Sequence, residues 1–210
     1  MNYSHILWDF NGTLLDDVGT GITSVNTLLS ARGLKTLDSV EEYHRVFGFP
    51  IIEYYRRLGF DFEKEPYEKI AHEWVALYLH HVKSAPLYDG VLEVLSFIRD
   101  RGIPQVILSA TEKDMLEGQL SSLGIREYFD EVLGLDNIYA HSKVEVGRAW
   151  MEKNAPRRAL LIGDSEHDFE VAKSIGAECV LIACGHQSRE TLEKCGVKVL
   201  KNIKEISKIL

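Results

Sequence analysis

Cysteine is scarce: there are three in 210 residues, at 179, 184 and 195, and no C-x-x-C pair among them. An odd count with that spacing argues against a disulfide framework and against a structural zinc site, so reduced thiols are expected. Long apolar runs are missing too. The longest, such as "VILSA", are strand-sized and far too short to span a bilayer, so no membrane partner is expected. The first residues, "MNYSHILWD", lack a basic region followed by an apolar stretch and read as a buried strand, not a signal peptide; the expected compartment is the cytoplasm. Basic residues are outnumbered, 24 Lys and Arg against 32 Asp and Glu, for a net charge of −8. They are scattered except near the C-terminus, which disfavours nucleic acid. An anionic substrate is still allowed, provided that local groups or a metal ion make its pocket positive. Also absent are G-x-x-x-x-G-K-[ST], G-x-G-x-x-G and G-x-S-x-G, which sets aside a P-loop kinase, a dinucleotide fingerprint and a serine hydrolase. Internal repeats and low-complexity segments are lacking.

What is present is ordinary for a globular chain, 45% hydrophobic and 27% charged, and long enough for one α/β domain with a modest insertion. "SHILWDF" (4–10) reads as a strand that gives way to a turn at Gly12 and Thr13. From about 18 to 83 only helical faces appear. Val18, Ile22, Val25, Leu28 and Leu29 form one, Ile51, Tyr54, Tyr55 and Leu58 after Pro50 a second, and Ile70, Trp74, Leu77, Tyr78 and His81 a third. After "PLYDG" helix and strand alternate: helix 91–100, strand "PQVILS", helix 112–123, strand "DEVLG", helix 143–154, strand "ALLIGD", helix "DFEVAKSIG", strand "ECVLIA" and a polar C-terminal helix. The expected fold is α/β, a doubly wound parallel sheet interrupted after its first strand by a helical block.

Ligands of open parallel sheets bind beyond the carboxyl ends of the strands. Four expected strands end there on small or polar residues: Asp9, Ser109, Gly134, and Gly163 with Asp164. Taken singly, each acid could be a turn former or helix cap, Ser109 a cap, and Lys143 a solvated charge. Taken together, carboxylates converging on one point repel one another unless a hard cation sits between them, and oxygen ligands suit Mg2+.

"DFNGT", "VILS", Lys143 and "GDSEHD" resemble, in order, the four motifs of the haloacid dehalogenase-like superfamily, over nearly the whole chain. "PLYDGVLEVLSFIRDRGI" resembles the re-entry segment of its phosphoglycolate phosphatase and β-phosphoglucomutase branch. The resemblance implies a core of residues 1–16 and 84–210 and a mobile helical cap of residues 17–83. It implies that Asp9 attacks phosphorus and becomes an aspartyl phosphate. Mg2+ would be held by Asp9, the backbone carbonyl of Asn11, Asp164 and Asp168, the last directly or through water. Ser109, Ala110, Lys143 and the amides of the Asn11 to Thr13 turn, Gly12 and Thr13 among them, would receive the phosphoryl group. "RVFGFP" resembles a cap loop that enters the active site, where Arg45 could meet a carboxylate or second phosphate; a solvated helix arginine is the plainer alternative. The substrate class implied is a small phosphorylated metabolite, handled by a monomer or weak homodimer. A receiver domain shares an aspartate, hydroxyl and lysine, but has its acid pair on the first strand and no insertion.

The pattern breaks at Asn11. Phosphatases of this superfamily commonly carry Asp there, to protonate the leaving alcohol and then activate water. An amide has no titratable proton near neutral pH and performs neither step, a loss of about 10²- to 10⁴-fold. Three accounts stay open. The leaving group needs no proton, as in acyl phosphates; another residue moves it, with Asp16, Glu166, His167 or a cap group as candidates; or the protein binds phosphorylated ligands with little turnover. A tyrosine here accompanies dehalogenation and a small residue accompanies phosphonatases with a cap lysine; Asn11 matches neither, and "EEYHRVFGFPIIEYYRRLGF" has no lysine.

Overall fold

A computed structural model describes residues 3–135 and 142–210. Six parallel strands lie in the order β3-β2-β1-β4-β5-β6: β1 His5–Trp8, β2 Gln105–Glu112, β3 Glu131–Leu135, β4 Ala159–Gly163, β5 Glu178–Ile182 and β6 Lys198–Leu200. The order reverses between β1 and β4, so the crevice of a doubly wound sheet opens where those two strands end.

The central strand is apolar without alternation because both of its faces are covered. Ile6 and Trp8 point into one cluster with Leu95 and Ile98 of α5 (Val91–Arg99) and Leu116 and Leu120 of α6 (Lys113–Ser122). Leu7 points the other way, onto Trp150 of α7 (Lys143–Asn154) and Val171 and Ile175 of α8 (Glu166–Ile175). Two buried polar groups beside the first cluster find partners: Trp8 Nε1 donates to Gln105 Oε1 at 3.0 Å, and Gln105 Nε2 donates to the Leu95 carbonyl at 3.0 Å.

The helical block is α1 Val18–Ala31, α2 Val40–Val46, α3 Ile51–Arg57 and α4 Tyr67–His81. It has its own apolar cluster around Val25, Leu29, Tyr54, Tyr55 and Ile70. Arg32 ties the block together, pairing with Glu65 at 2.6 Å and Glu73 at 2.7 Å. The outgoing and returning chains lie side by side at its base, where Asp16 N donates to the Pro86 carbonyl and Tyr88 N to the Leu14 carbonyl. Among the described residues, no helix is long and apolar enough to cross a membrane.

Two expectations are corrected. The polar C-terminal helix is instead a five-residue helix, α9 Arg189–Glu193, then β6 and a 3-10 stretch Ile203–Lys208. "KVL" is too short for periodicity to reveal, and its place is set by pairing with β5. Strand β2 runs on past Ser109, so α6 begins at Lys113 with Glu112 as its cap, accepting from the Asp114 and Met115 amides. Register against β3 shifts between Leu108 and Glu112, an irregularity that re-aims the side chains around Ser109.

Candidate active site

Asp9 follows directly on β1, at the reversal of strand order, and Asp164 follows directly on β4 beside it. Asp168 reaches the same point from the first turn of α8, whose Ser165 caps the helix while Asp168 caps in return. Carboxylate oxygens of Asp9, Asp164 and Asp168 lie within 4.8 Å of one another. Lys143, first residue of α7 behind its Ser142 cap, puts Nζ 2.5 Å from Asp9 Oδ1 and 2.6 Å from Asp168 Oδ1. Thr13 Oγ1 lies 3.1 Å from both Asp9 Oδ2 and Asp164 Oδ1.

Three buried carboxylates and one ammonium leave an excess of negative charge. Burial pushes Asp9 up to about 8; Lys143 opposes this and the neighbouring Asp168 and Asp164 add to it. Asp164 rises to about 6, mainly by burial. Burial would raise Asp168 as well, but Lys143 outweighs it and holds that carboxyl below the ordinary range. All-oxygen donors with surplus negative charge are what a hard divalent cation requires, so the residues fit Mg2+. Asp168 has the least to offer it directly: Oδ2 already accepts from the Asp164 and Ser165 amides and the Ser165 hydroxyl.

Asn11 stands at the centre of a second network. Its Nδ2 donates to Tyr78 Oη at 2.6 Å and to Asp17 Oδ2 at 3.1 Å, while its Oδ1 accepts from Thr111 Oγ1 at 3.0 Å. Asp17, just ahead of α1, also accepts from the Gly12 amide at 2.8 Å, from the Tyr78 hydroxyl, and from His186 Nε2 at 3.2 Å. Burial pushes Asp17 up, but His186 and the hydrogen-bond donors prevail and keep it below the usual carboxylate value. His186 in turn is driven to about 9, because Asp17 and Asp164 outweigh its burial. Its backbone amide holds Asp164 Oδ2 at 2.6 Å, and its Nδ1 lies 2.8 Å from Tyr43 Oη on α2.

A cleft of about 320 Å³ lies between this array and the helical block. Asp9, Asn11, Ser109, Ala110, Lys143, Asp164 and Asp168, singled out from sequence, all line it. Gly12 and Thr13 do not line it, and their amides have partners within the turn. The Gly12 amide is taken by Asp17 and the Leu15 carbonyl, and the Thr13 amide by the Phe10 carbonyl. Gly12 serves close packing instead: its φ is +73°, and a Cβ would run into the Asp164 carboxylate and the His186 ring. Arg45 also lies outside the cleft, exposed on α2 with Nε on the Glu41 carbonyl of its own helix. Of the substitutes for the missing acid, Asp16 is exposed in a separate depression and Glu166 is hydrogen-bonded to Gln187. His167 lines the cleft, its ring stacked on Phe49 at 4.8 Å.

Asp17, Tyr78, Thr111 and His186 escaped the sequence reading. The strand-end rule could have found His186, four residues past β5; Tyr78 looked like one more apolar position on a helical face.

A family profile described as haloacid dehalogenase-like hydrolase matches residues 6–182. A phosphoglycolate phosphatase of Rhodobacter capsulatus is 27% identical over 188 residues, 87% of this chain and 85% of that protein. Another, of Nitrosococcus oceani, is 28% identical over 190 residues, 86% of this chain and 84% of that one. Among solved structures, a haloacid dehalogenase-like family hydrolase from Streptococcus pneumoniae superposes with a TM-score of 0.83 at 19% identity, covering 99% of this chain and 98% of that one. With the strand order, the helical insertion and the carboxylates at the ends of β1 and β4 in agreement with that match, the chain belongs to the haloacid dehalogenase-like hydrolases.

Proposed function

We propose that this hydrolase is a Mg2+-dependent phosphatase of a small phosphorylated metabolite, working through an aspartyl phosphate on Asp9, as a cytoplasmic monomer or weak homodimer. The observation that carries the reading is the position of Asp9, at the switch point of the sheet, against Lys143 and within reach of Asp164 and Asp168. A carboxylate so placed meets a phosphoryl group entering the cleft in line with the bond to be broken. Lys143 offers a point charge and Ser109 Oγ one hydrogen bond to the phosphoryl oxygens. Asp9, Asp164 and the Asn11 carbonyl would hold Mg2+, with Asp168 fixing Asp164 and Lys143 in place. The bound cation would supply charge neutralisation between the nucleophile and the phosphate dianion. Residues 17–83 would form the cap that excludes water.

The leaving group is where this site is specialised. Asn11 has no proton to give, and Asp17 behind it already accepts from four donors. Such a site favours esters and anhydrides whose leaving group is stable as an anion.

The test is phosphate release from a panel of phosphate esters and acyl phosphates. Release is expected to require Mg2+ and to be abolished by Asp9→Asn. Turnover unchanged in Asp9→Asn would refute the covalent route, and tight binding without release would make the protein a phospho-ligand binder. A second expected result concerns Gly185, where a Cβ would meet the Asp164 carboxylate and the Gly12 carbonyl. Displacing Asp164 by that methyl group lowers kcat by about 10²-fold; an unaltered kcat would mean that Asp164 need not hold its position.

A further inference from the structure

The side of the cleft that faces the phosphoryl site is aromatic. It is made by Tyr43 and Phe47 around α2, Phe49 and Ile51 at α3, and Trp74 and Tyr78 on α4. Tyr43 and Tyr78 turn their hydroxyls to His186, Asp17 and Asn11, so they show the cleft ring surface. Trp74 stacks on Tyr78 at 4.8 Å with 14° between the planes, and Phe49, stacked on His167 and edge-on to Phe47, is still 42% exposed and lines the same cleft. Positive charge on this face is missing. Among the described residues no Lys or Arg of the helical block lines the cleft; Lys143 is held by Asp9 and Asp168, and His186 by Asp17. A substrate carboxylate or second phosphate would be buried there against rings with no partner, a costly arrangement.

Resting on the phosphatase reading, we infer that the substrates are phosphomonoesters of planar aromatic alcohols, the ring held between Phe49 and Trp74. Size agrees: an apolar cavity of about 150 Å³ takes a benzene ring, and about 320 Å³ takes a ring with its phosphoryl group. Asn11 gives an independent reason. A phenol has a pKa of about 10, against about 16 for water, so a phenolate leaves without the proton that Asn11 lacks. The Asp9 Oδ–P bond forms as the P–O bond to the ring breaks, with the electron pair leaving on the phenolate, which takes its proton from solvent. Water then attacks phosphorus, gives its proton to solvent and releases orthophosphate, restoring Asp9.

The experiment compares phenyl phosphate, benzyl phosphate, acetyl phosphate and phosphoglycolate on the full chain with Mg2+. Ring recognition is expected to give the two aromatic esters KM values about tenfold below the other two, in line with ring packing of this kind. Leaving-group control is expected to give phenyl and acetyl phosphate a high kcat/KM and benzyl phosphate a low one, since hydrolysis of the aspartyl phosphate is the same step for all. In Phe49→Ala and Trp74→Ala the ratio of kcat/KM for phenyl over acetyl phosphate falls about tenfold. A KM for phosphoglycolate at or below that for phenyl phosphate, or a ratio unmoved in both variants, overturns the inference. Release from none of the four would instead refute the phosphatase reading. Calorimetry on Asp9→Asn would then decide the ring inference by whether phenyl phosphate binds more tightly than phosphoglycolate.

Discussion

Lys143→Met is expected to lower stability by about 3 to 5 kcal/mol in metal-free buffer, the cost of leaving buried charges without their partner. The Lys143 side chain is 2% exposed and bonded to both Asp9 and Asp168, so no water can replace it. Methionine keeps the length and the apolar stem, which confines the change to the charge. Urea unfolding would show a lower midpoint with an unchanged slope. The deficit is expected to shrink when Mg2+ is added, since the acids freed of Lys143 carry more uncompensated charge and bind the cation more tightly, and each protein is stabilised by mass action according to its own Kd. It also depends on pH. Burial raises Asp168, and Lys143 more than reverses this. That stabilisation is present above the ordinary carboxylate pKa and fades as pH falls through the lowered folded value, so the variant and wild type converge in acid. A variant as stable as wild type at neutral pH without metal would show that the ion pairs contribute nothing.

The order of these elements was legible because strand ends and helix faces leave local marks. Asp9 and Asp164 could be placed at one crevice from alternating helices and strands alone, and Lys143 became meaningful only in company with them. What stayed hidden depends on contacts far apart in the chain. Asn11 meets Tyr78 and Thr111 across 67 and 100 residues, and Tyr43 meets His186 across 143. No spacing rule reaches so far. The partners of the Gly12 and Thr13 amides are hidden for the opposite reason: the turn is so tight that they donate to Phe10, Leu15 and Asp17 within a few residues. Strand β6 is fixed by its neighbour β5 and not by a pattern of its own.

The same long-range network governs what happens when the missing carboxylate is restored. Asn11→Asp alone is expected to cost about 2 to 4 kcal/mol, since it deletes the donor to Asp17 and sets a second carboxylate against it. Exchanging the pair, Asn11→Asp with Asp17→Asn, rebuilds the amide–carboxylate bond in the opposite sense at unchanged net charge. Part of the loss should return, the remainder being the ion pair of the Asp17 carboxylate with His186, and a double-mutant cycle should read a coupling of about 2 kcal/mol. The kinetic consequence is separate. In the exchanged protein the new carboxyl lies two residues past Asp9, half-buried on the cleft wall, and can give and take the proton that the amide cannot. The kcat/KM for alkyl phosphates such as benzyl phosphate should then rise by about 10²- to 10⁴-fold, while that for phenyl phosphate gains far less. If stability recovers and the alkyl rate does not move, another group already carries the proton, and the amide at position 11 is there for the cross-link from the β1 turn to α4 and β2 alone.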